Sequence, residues 1–242
     1  MTLAVACVAR NEAAKWLPSV LKAWESFADV VVAVDDGSTD ATPDILRACP
    51  KVDYYRRDGA PMWGAEAPVR SLLWDLAVNA GTDWIFVLDA DMLPAKDPRP
   101  LLVDAADGIA FRLYDLWSLQ PPLYRTDGHW YGHDAPRVWA VRNPGIGHAP
   151  VWPTRGIHCG HFPNNLQLGR VLLAPPEYSL LHLAYSDVDA RAAKAAQYRT
   201  QYPQMANAEI AHANSIMDPL VHAELLPFGV QWPLSKVLNE TV

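Results

Sequence analysis

The chain has few cysteines, and their arrangement excludes the scaffolds that cysteine usually builds. Only Cys7, Cys49 and Cys159 occur among 242 residues. An odd number at unrelated spacings predicts no disulfide framework, and without a Cys-x-x-Cys pair the sequence offers no recognisable structural zinc site. Such sparing use of cysteine is typical of proteins in a reducing compartment.

Long apolar runs and an excess of positive charge are also missing. No segment reaches the roughly 18 consecutive apolar residues that a membrane helix needs, and the amino terminus lacks the basic region and cleavage site of a signal peptide. We therefore expect a cytoplasmic protein without stable membrane insertion. The net charge of −7 argues against a surface built mainly for nucleic acid. Half of the residues are hydrophobic, which is enough for one large α/β domain.

The most informative feature that is present is the tripeptide Asp89-Ala90-Asp91, which directly follows the apolar run 84–88. Such a run predicts a strand buried on both faces, as in a parallel sheet. Carboxylates two residues apart on an extended backbone point to the same side, here at the carboxyl end of a strand, where open α/β sheets bind ligands. Two like charges are unfavourable there unless a cation bridges them, and oxygen ligands suit Mg²⁺ or Mn²⁺. The alternative is a solvated, Asp-rich turn.

Two earlier strands end in similar polar clusters. The apolar run 30–34 leads into Asp35-Asp36-Gly37-Ser38-Thr39-Asp40, and the run 3–9 leads into Arg10-Asn11-Glu12. Gly37 permits a tight turn. Three strands that end in polar clusters, each followed by a helical pattern, are typical of an α/β sheet that binds a nucleotide along its strand ends.

Taken in order, Ala9-Arg10-Asn11-Glu12, Val34-Asp35-Asp36-Gly37-Ser38-Thr39-Asp40 and Leu88-Asp89-Ala90-Asp91 resemble the motifs of family 2 glycosyltransferases with the GT-A fold. The resemblance covers roughly residues 1–110. It implies a mostly parallel central sheet flanked by helices, and an inverting transfer of a sugar from a UDP- or GDP-sugar. It also implies a Mn²⁺ or Mg²⁺ ion on Asp91, with Asp89 nearer the ribose or reaching the ion through water. The donor-binding residues that we expect in this part of the chain are Ala9, Arg10, Glu12, Asp35, Asp36, Arg70, Asp89, Ala90 and Asp91.

We expect a single GT-A domain over residues 1–242, with a nucleotide-sugar-binding half over 1–107 and an irregular acceptor-binding half with carboxyl-terminal helices over 108–242. Apolar periodicity and turn residues predict its elements. The predicted strands are 3–9, 30–35, 52–56, 84–89, 109–116, 137–142, 168–174 and 179–184. The predicted helices are 15–27, 42–48, 68–80, 98–106 and 187–202.

The helix predicted over 68–80 presents an apolar face made of Val69, Leu72, Leu73, Leu76, Ala77 and Ala80. Arg70 lies off that face in the first turn, where a cation opposes the helix dipole. An incoming diphosphate would reverse that argument, and the resemblance also implies a basic residue here. The alternative is a surface arginine paired with Glu66.

His182 stands alone inside the apolar run 180–183. A lone histidine in such a run is more often a core residue than a ligand, but the resemblance implies that it completes the metal site. For the other histidines we favour polar loop contacts to the acceptor. A zinc site is the weaker alternative, because surroundings rich in proline and glycine disfavour a helical His-x-x-x-His pair. Its members would come from His129, His133, His158, Cys159 and His161.

The helix that follows this run carries two further donor-binding candidates. Ser186 and Asp189 predict a capping box at its start. Arg191 and Lys194 share one face with Tyr198. They either close over the diphosphate or form an ordinary solvated basic face.

Inverting transfer needs a general base that takes the proton of the acceptor hydroxyl. We expect Asp134 to serve, with Asp115 as the second candidate. Related sequences often carry a His-Glu pair where this chain has His158-Cys159, so the resemblance does not transfer the role to that point. The other carboxylates available are Asp127 and the more remote Glu177.

Two other functions stay open. Sugar nucleotidyltransferases use a similar sheet, but they normally carry a Gly-rich loop after the first strand, and Arg10-Asn11-Glu12-Ala13 contains no glycine. A catalytically inactive nucleotide-sugar-binding protein would share the fold, although intact Asp36, Asp89 and Asp91 argue against it.

The acceptor can be a glycan, a protein, a lipid or a modified nucleic acid. Aromatic rings that could stack on a base or a sugar ring occur in loops at Trp63, Trp117 and Trp130.

Overall fold

The computed structural model describes residues 1–59, 61–62, 66–153, 159–200, 205–219 and 221–228. Within these residues the elements run in chain order as β1 (Leu3–Ala9), α1 (Leu17–Glu25), β2 (Val30–Asp35), α2 (Thr42–Ala48), β3 (Val52–Arg56), α3 (Glu66–Asn79), β4 (Trp84–Val87), β5 (Met92–Pro94), β6 (Gly108–Phe111), β7 (Leu113–Leu119), β8 (Pro122–Arg125), β9 (Arg137–Arg142), β10 (Val171–Leu173), β11 (Leu180–His182), α4 (Val188–Arg199), α5 (Asn207–Ser215) and β12 (Ala223–Leu225).

The chain divides into two compact units. The first unit comprises residues 1–91, 97–110 and 138–173, and the second comprises 92–96, 111–137 and 174–242. The segment 138–173, which the sequence assigned to an acceptor-binding half, therefore clusters with the amino-terminal strands. No helix in the described part of the chain combines the length and the apolar character needed to cross a bilayer.

The first unit is built on a sheet with the strand order β10-β6-β9-β4-β1-β2-β3. β1 pairs in parallel with both β2 and β4, and β2 pairs in parallel with β3, whereas β9 runs antiparallel to β4. The mostly parallel α/β architecture expected from the sequence is confirmed. Because parallel strands point the same way, the carboxyl ends of β1, β2 and β4 lie at one edge of this sheet.

Helix α3 packs on one face of that sheet. Its buried side chains Val69, Leu73 and Ala77 belong to the same core cluster as Ala6 and Val32. The buried face differs from the predicted one, because Leu72 is exposed while the charged Glu66 and Arg70 are buried. The helix is therefore turned so that an ion pair, and not only apolar groups, lies against the rest of the unit.

The second unit contains a sheet with the strand order β12-β8-β7-β11-β5. β11 pairs in parallel with β7 and antiparallel with β5. A core cluster that includes Trp130, Tyr185, Tyr198 and Ile216 draws on α4 and the segment after α5.

Arg125 lies inside the second unit with only 2% of its surface exposed. Its guanidinium pairs with Asp127, lies 3.3 Å from Asp218, and donates to the carbonyl of Ser215. The same group stacks on the indole rings of Trp117 and Trp130, at 4.8 and 5.0 Å from their centroids. A buried cation with this many partners joins residues that are far apart in the chain.

Several predicted elements differ from the structure. The helix expected over 98–106 is a single 3₁₀ turn at Arg99–Leu101, since Pro98 and Pro100 leave no room for a regular helix. The strand expected over 109–116 is divided into β6 and β7. The structure also contains β5, β8, α5 and β12, which were not predicted.

The start of α4 also differs from the prediction. Asp187 caps the helix by accepting from the backbone N–H groups of Asp189 and Ala190, so the expected capping box of Ser186 and Asp189 is wrong. The helix ends at Arg199, and residues 201 and 202 of the predicted range lie outside the described residues.

Removing Arg125 should destabilise the protein strongly. In Arg125→Ala, Asp127 loses the guanidinium hydrogen bonds that hold the pKa of its carboxyl below the ordinary value. We expect the free energy of unfolding in urea to fall by about 3–5 kcal/mol, as when one partner of a buried ion pair is removed. The control is Arg47→Ala, which removes an arginine that also pairs with an aspartate and stacks on Tyr54, but at the surface. There we expect a loss of less than about 1 kcal/mol. Equal losses of unfolding free energy in the two variants would show that the burial of Arg125 adds nothing to stability.

Candidate functional site

The loops that follow β1 and β2 are joined by reciprocal hydrogen bonds. Asn11 N donates to Ser38 Oγ (3.0 Å), and Thr39 N donates back to Asn11 Oδ1 (2.8 Å). Glu12 N donates to Thr42 Oγ1 (2.8 Å). Asn11 adopts a left-handed backbone conformation with φ of 54°, which asparagine tolerates better than most residues. The two strand-end motifs therefore form one hydrogen-bonded arrangement.

Asp35 has no exposed surface (0%) and its carboxylate is well supplied with donors. Oδ1 accepts from Ser38 N (2.9 Å), and Oδ2 accepts from the Tyr54 hydroxyl (3.0 Å) and from Arg56 Nη1 (2.8 Å). Burial and the bond to Asp35 raise the pKa of the Tyr54 phenol. Asp35 thus fixes the turn after β2 and ties it to β3.

Asp36 is equally buried. Its carboxylate accepts from Met62 N (2.7 Å) and from the Arg57 guanidinium, while Arg10 donates to its backbone carbonyl. Gly37 follows with φ of 71°, as expected for a tight turn. At this end of β2 the partly exposed groups are Arg10 and Arg57, whereas the aspartates are enclosed. The binding of a donor by Asp35 and Asp36 therefore stays a prediction.

Arg70 is buried on α3 and belongs to a chain of charged groups. Its Nε donates to Glu66 Oε1 (3.1 Å) and its Nη2 to Asp89 Oδ1 (3.4 Å). Its Nη1 is buried and finds no hydrogen-bond acceptor among the described residues. Burial lowers the pKa of Arg70, but the carboxylates of Asp89 and Glu66 outweigh it and the pKa is raised. The alternative of a surface arginine paired with Glu66 is right about the partner. It is wrong about the environment, because Arg70 is buried.

Two buried cysteines lie close to this chain of charges. Glu66 Oε2 accepts from Cys159 N (3.0 Å). Burial and the Glu66 charge raise the pKa of the Cys159 thiol to about 12, and burial together with Asp89 raises that of Cys7 well above its ordinary value. Since only a thiolate is an effective nucleophile, neither cysteine is suited to covalent chemistry at neutral pH.

The motif Asp89-Ala90-Asp91 is not extended. β4 ends at Val87, and residues 90 and 91 form a turn, so the prediction that the strand continues to residue 89 is wrong. The side chain of Asp89 is 37% exposed, and its Oδ2 lies 3.8 Å from His161 Nε2. Asp91 is half-buried.

No group of three or more His, Cys, Asp and Glu side chains that could hold a metal ion occurs among the described residues. The zinc alternative therefore has no support there, and His133 packs against the rings of Tyr114 and Tyr124. His158 and Trp63 lie outside the described residues.

In the second unit, His182 is bonded to Asp115. Nδ1 of the ring lies 2.7 Å from Asp115 Oδ1, and the two side chains are 10% and 13% exposed. The ring of Tyr185 meets the imidazole edge to face at 5.0 Å. Sequence reasoning named both members of this pair, but in separate roles, and it gave no signal that they pair.

The first candidate base, Asp134, lies in a turn of the second unit with a side chain that is 82% exposed. Its carboxylate stands 3.4 Å from His133 Nε2. Asp134 and Asp115 therefore differ sharply in environment, because one carboxylate is open to solvent and the other is enclosed with an imidazole.

Arg191 and Lys194 lie on a half-buried face of α4 whose other member, Tyr198, is buried. Arg191 Nη1 donates to the carbonyl of Trp117 (3.1 Å) and to that of Tyr185, and its guanidinium stacks on Trp117 at 4.5 Å. For Arg191 the alternative of an ordinary solvated face does not hold, because its guanidinium packs on Trp117. The role of Arg191 and Lys194 as a diphosphate clamp stays a prediction.

The cysteines should be unreactive in the folded protein. All three are buried, and burial raises their pKa values, that of Cys159 to about 12. At pH 8 we expect a thiol reagent such as dithiobis(nitrobenzoic acid) to modify none of them within minutes, and all of them after unfolding in guanidinium. Fast modification of Cys159 in the native protein would contradict the enclosed site drawn around Glu66.

Residues 5–114 match the family model described as Glycosyl transferase family 2. No curated protein sequence matches the chain. Among solved structures, glucosyl-3-phosphoglycerate synthase from Mycobacterium tuberculosis in complex with Mn²⁺, UDP and glucosyl-3-phosphoglycerate is 19% identical over 47% of this chain and 44% of that chain, with a TM-score of 0.34. The same enzyme in complex with Mn²⁺, UDP-glucose and phosphoglyceric acid aligns over 98% of this chain and 91% of that chain, at 15% identity and a TM-score of 0.48.

In the first of these alignments the chain spans less than half the length of the synthase. Because the identities and the TM-scores are low, the structural likeness carries no argument about ligands or activity. The family match is different in kind, since it contains all three strand-end motifs of the first unit. The match of residues 5–114 to the model of glycosyl transferase family 2 confirms the resemblance drawn from those motifs.

Proposed function

We propose that the protein is a metal-dependent inverting glycosyltransferase that moves a sugar from a UDP- or GDP-sugar to an acceptor hydroxyl. The observation that carries the proposal is the polar cluster at the carboxyl ends of β1, β2 and β4, in a segment matched by glycosyl transferase family 2. The family match also favours this function over a sugar nucleotidyltransferase. The candidate acceptors are glycans, proteins, lipids and modified nucleic acids.

Asp89 and Asp91 fit a divalent ion chemically, because both offer hard oxygen ligands from a single turn. Mg²⁺ and Mn²⁺ are usually held by one or two carboxylates together with phosphates and waters. Asp89 already faces Arg70, so we assign the direct contact to Asp91. The metal role predicted for His182 stays a prediction. When bound, the ion would stabilise the negative charge that builds on the leaving diphosphate.

Arg70 is the residue that we assign to the donor diphosphate. A buried N–H group without an acceptor costs about 1–3 kcal/mol, and Nη1 of Arg70 is such a group among the described residues. Glu66 and Asp89 hold the guanidinium in its charged form and fix its orientation. An anionic oxygen of the donor would satisfy the remaining N–H group, so the site is organised before the donor binds.

The general base is assigned to Asp134. Its carboxylate is open to an incoming hydroxyl, whereas Asp115 is already engaged with His182. A carboxylate in this role accepts the proton of the acceptor hydroxyl as the oxygen attacks the anomeric carbon. Inversion is checked by proton NMR of the fresh product, whose anomeric configuration must be opposite to that of the donor.

Asp91→Asn should remove most of the activity without unfolding the protein. The substitution keeps the shape of the side chain but removes a charge from the proposed ion contact. We expect sugar transfer to fall by roughly 100-fold or more, measured with a panel of nucleotide-diphosphate sugars and Mn²⁺, while the melting temperature changes little. The control is Asp104→Asn, a carboxylate of the same unit that is 92% exposed.

Three results would count against these assignments. Near-normal transfer by Asp91→Asn with unchanged metal dependence would reduce the motif to a turn. Donor binding without turnover by the wild-type protein would identify a catalytically inactive member of the family. Failure to bind any nucleotide diphosphate would remove the proposal altogether.

Arg70→Lys should weaken donor binding in a phosphate-dependent way. Lysine keeps a cation between Glu66 and Asp89 but lacks the planar fork that places Nη1. We expect the affinity for UDP or GDP to fall by about 2–5 kcal/mol, measured by calorimetry, and the affinity for the corresponding nucleoside to stay the same. An equal loss for nucleoside and diphosphate would place Arg70 in general folding rather than in diphosphate binding.

A further inference from the structure

His161 lies in a segment of the first unit that is attached to α3 on both sides of the histidine. Before it, the backbone N–H of Cys159 donates to Glu66 Oε2 (3.0 Å). After it, the ring of Phe162 meets that of Trp74 edge to face, with the centroids 5.9 Å apart. Because both neighbours are held by one helix, the fold of this unit sets the position of the imidazole.

The ring of His161 packs on Trp139, with the two centroids 4.2 Å apart. Trp139 is buried, and the next residue, Ala140 on β9, pairs with Phe86 on the antiparallel strand β4. Trp139 is therefore level with Val87, the last residue of β4. The side chain of His161 keeps 26% of its surface exposed. An aromatic contact thus fixes the ring beside the end of β4 without enclosing it.

The imidazole of His161 makes no hydrogen bond to any of the described residues. Its Nε2 lies 3.8 Å from Asp89 Oδ2, which exceeds the usual hydrogen-bond distance of about 2.7–3.2 Å. A hydroxyl oxygen about 2.8 Å from both atoms can accept from Nε2–H and donate to the carboxylate, whose oxygens each accept more than one hydrogen bond. An ionised phosphate has no hydrogen to donate and would be repelled by Asp89, so the arrangement favours a hydroxyl group.

We propose that His161, together with Asp89, binds a hydroxyl group of the nucleotide-sugar donor, either on the transferred sugar or on the ribose. The inference rests on the proposed function and adds a residue that selects the donor. Arg70 and Asp91 are assigned to the diphosphate and to the ion, which all nucleotide-diphosphate sugars share. A site built to hydrogen-bond a hydroxyl group rejects analogues that lack it, because its polar groups are then left unpaired.

His161→Phe tests the proposal, since phenylalanine keeps a ring on Trp139 but removes both nitrogens. Calorimetry is carried out with three probes: the UDP- or GDP-hexose that the wild-type protein binds most tightly, the matching nucleoside diphosphate, and its 2′,3′-dideoxy form. We expect the affinity for the nucleotide sugar to fall by about 5- to 10-fold and that for the dideoxy form to stay the same. A loss confined to the nucleotide sugar assigns the contact to the transferred sugar, and a loss shared by the nucleoside diphosphate assigns it to the ribose.

The matched control is His148→Phe, in the same unit. Both ring nitrogens of His148 are buried without a hydrogen-bond partner among the described residues, so all three affinities should stay the same. His161→Leu is the second variant in case phenylalanine disturbs the fold, and His161→Gln, which keeps an N–H donor, should recover part of the affinity. The proposal is overturned if the Phe and Leu variants of His161 bind the nucleotide sugar as tightly as the wild type, or if they lose affinity equally for all three probes. Failure of the wild-type protein to bind any nucleotide diphosphate would instead remove the proposed function on which the inference rests.

Discussion

The burial of aspartate charge at the ends of parallel strands is the constraint on which the rest of the first unit depends. Asp35 and Asp36 have no exposed surface, and removing a carboxylate from water costs several kcal/mol unless donors replace the lost hydration. Those donors come from outside β2: the Tyr54 hydroxyl, the guanidinium groups of residues 56 and 57, and the N–H group of Met62. The course of the chain after β3 is therefore dictated by the need to neutralise the end of β2.

The same requirement explains the orientation of α3. An amphipathic helix would bury Leu72 and expose Arg70, but the structure does the opposite. Arg70 can be buried because Glu66 one turn earlier and Asp89 after β4 supply opposite charge at 3.1 and 3.4 Å. Ion-pair geometry, and not apolar periodicity alone, thus sets the rotation of the helix, and it leaves a cation directed towards the carboxyl end of β4.

Elements that depend on local sequence could be predicted, whereas features that depend on contacts between residues far apart in the chain could not. β1, β2, α2 and β3 were predicted at their observed bounds, because each is an uninterrupted apolar or periodic run closed by turn residues. The second unit depends on distant partners: Arg125 is bonded to the carbonyl of Ser215, 90 positions away. Nothing in the sequence around Arg125 indicates a buried cation. The pairing of His182 with Asp115 is hidden for the same reason, since it arises from strand register and not from spacing.

Within the candidate site, the sequence identified the acidic residues but could not say which of them are already satisfied. Asp35 and Asp36 belong to a motif as acidic as Asp89-Ala90-Asp91, yet their oxygens are occupied by short bonds to protein donors. Asp89 pairs with Arg70 at 3.4 Å, while Arg70 also pairs with Glu66, and 37% of the Asp89 side chain stays exposed. At the end of β2, a divalent cation would have to displace donors that already bind the carboxylates of Asp35 and Asp36. After β4, it would find the carboxylate of Asp89 partly open to solvent. The donors already present at each strand end are therefore the reason for proposing the ion at the turn after β4 and not at the end of β2.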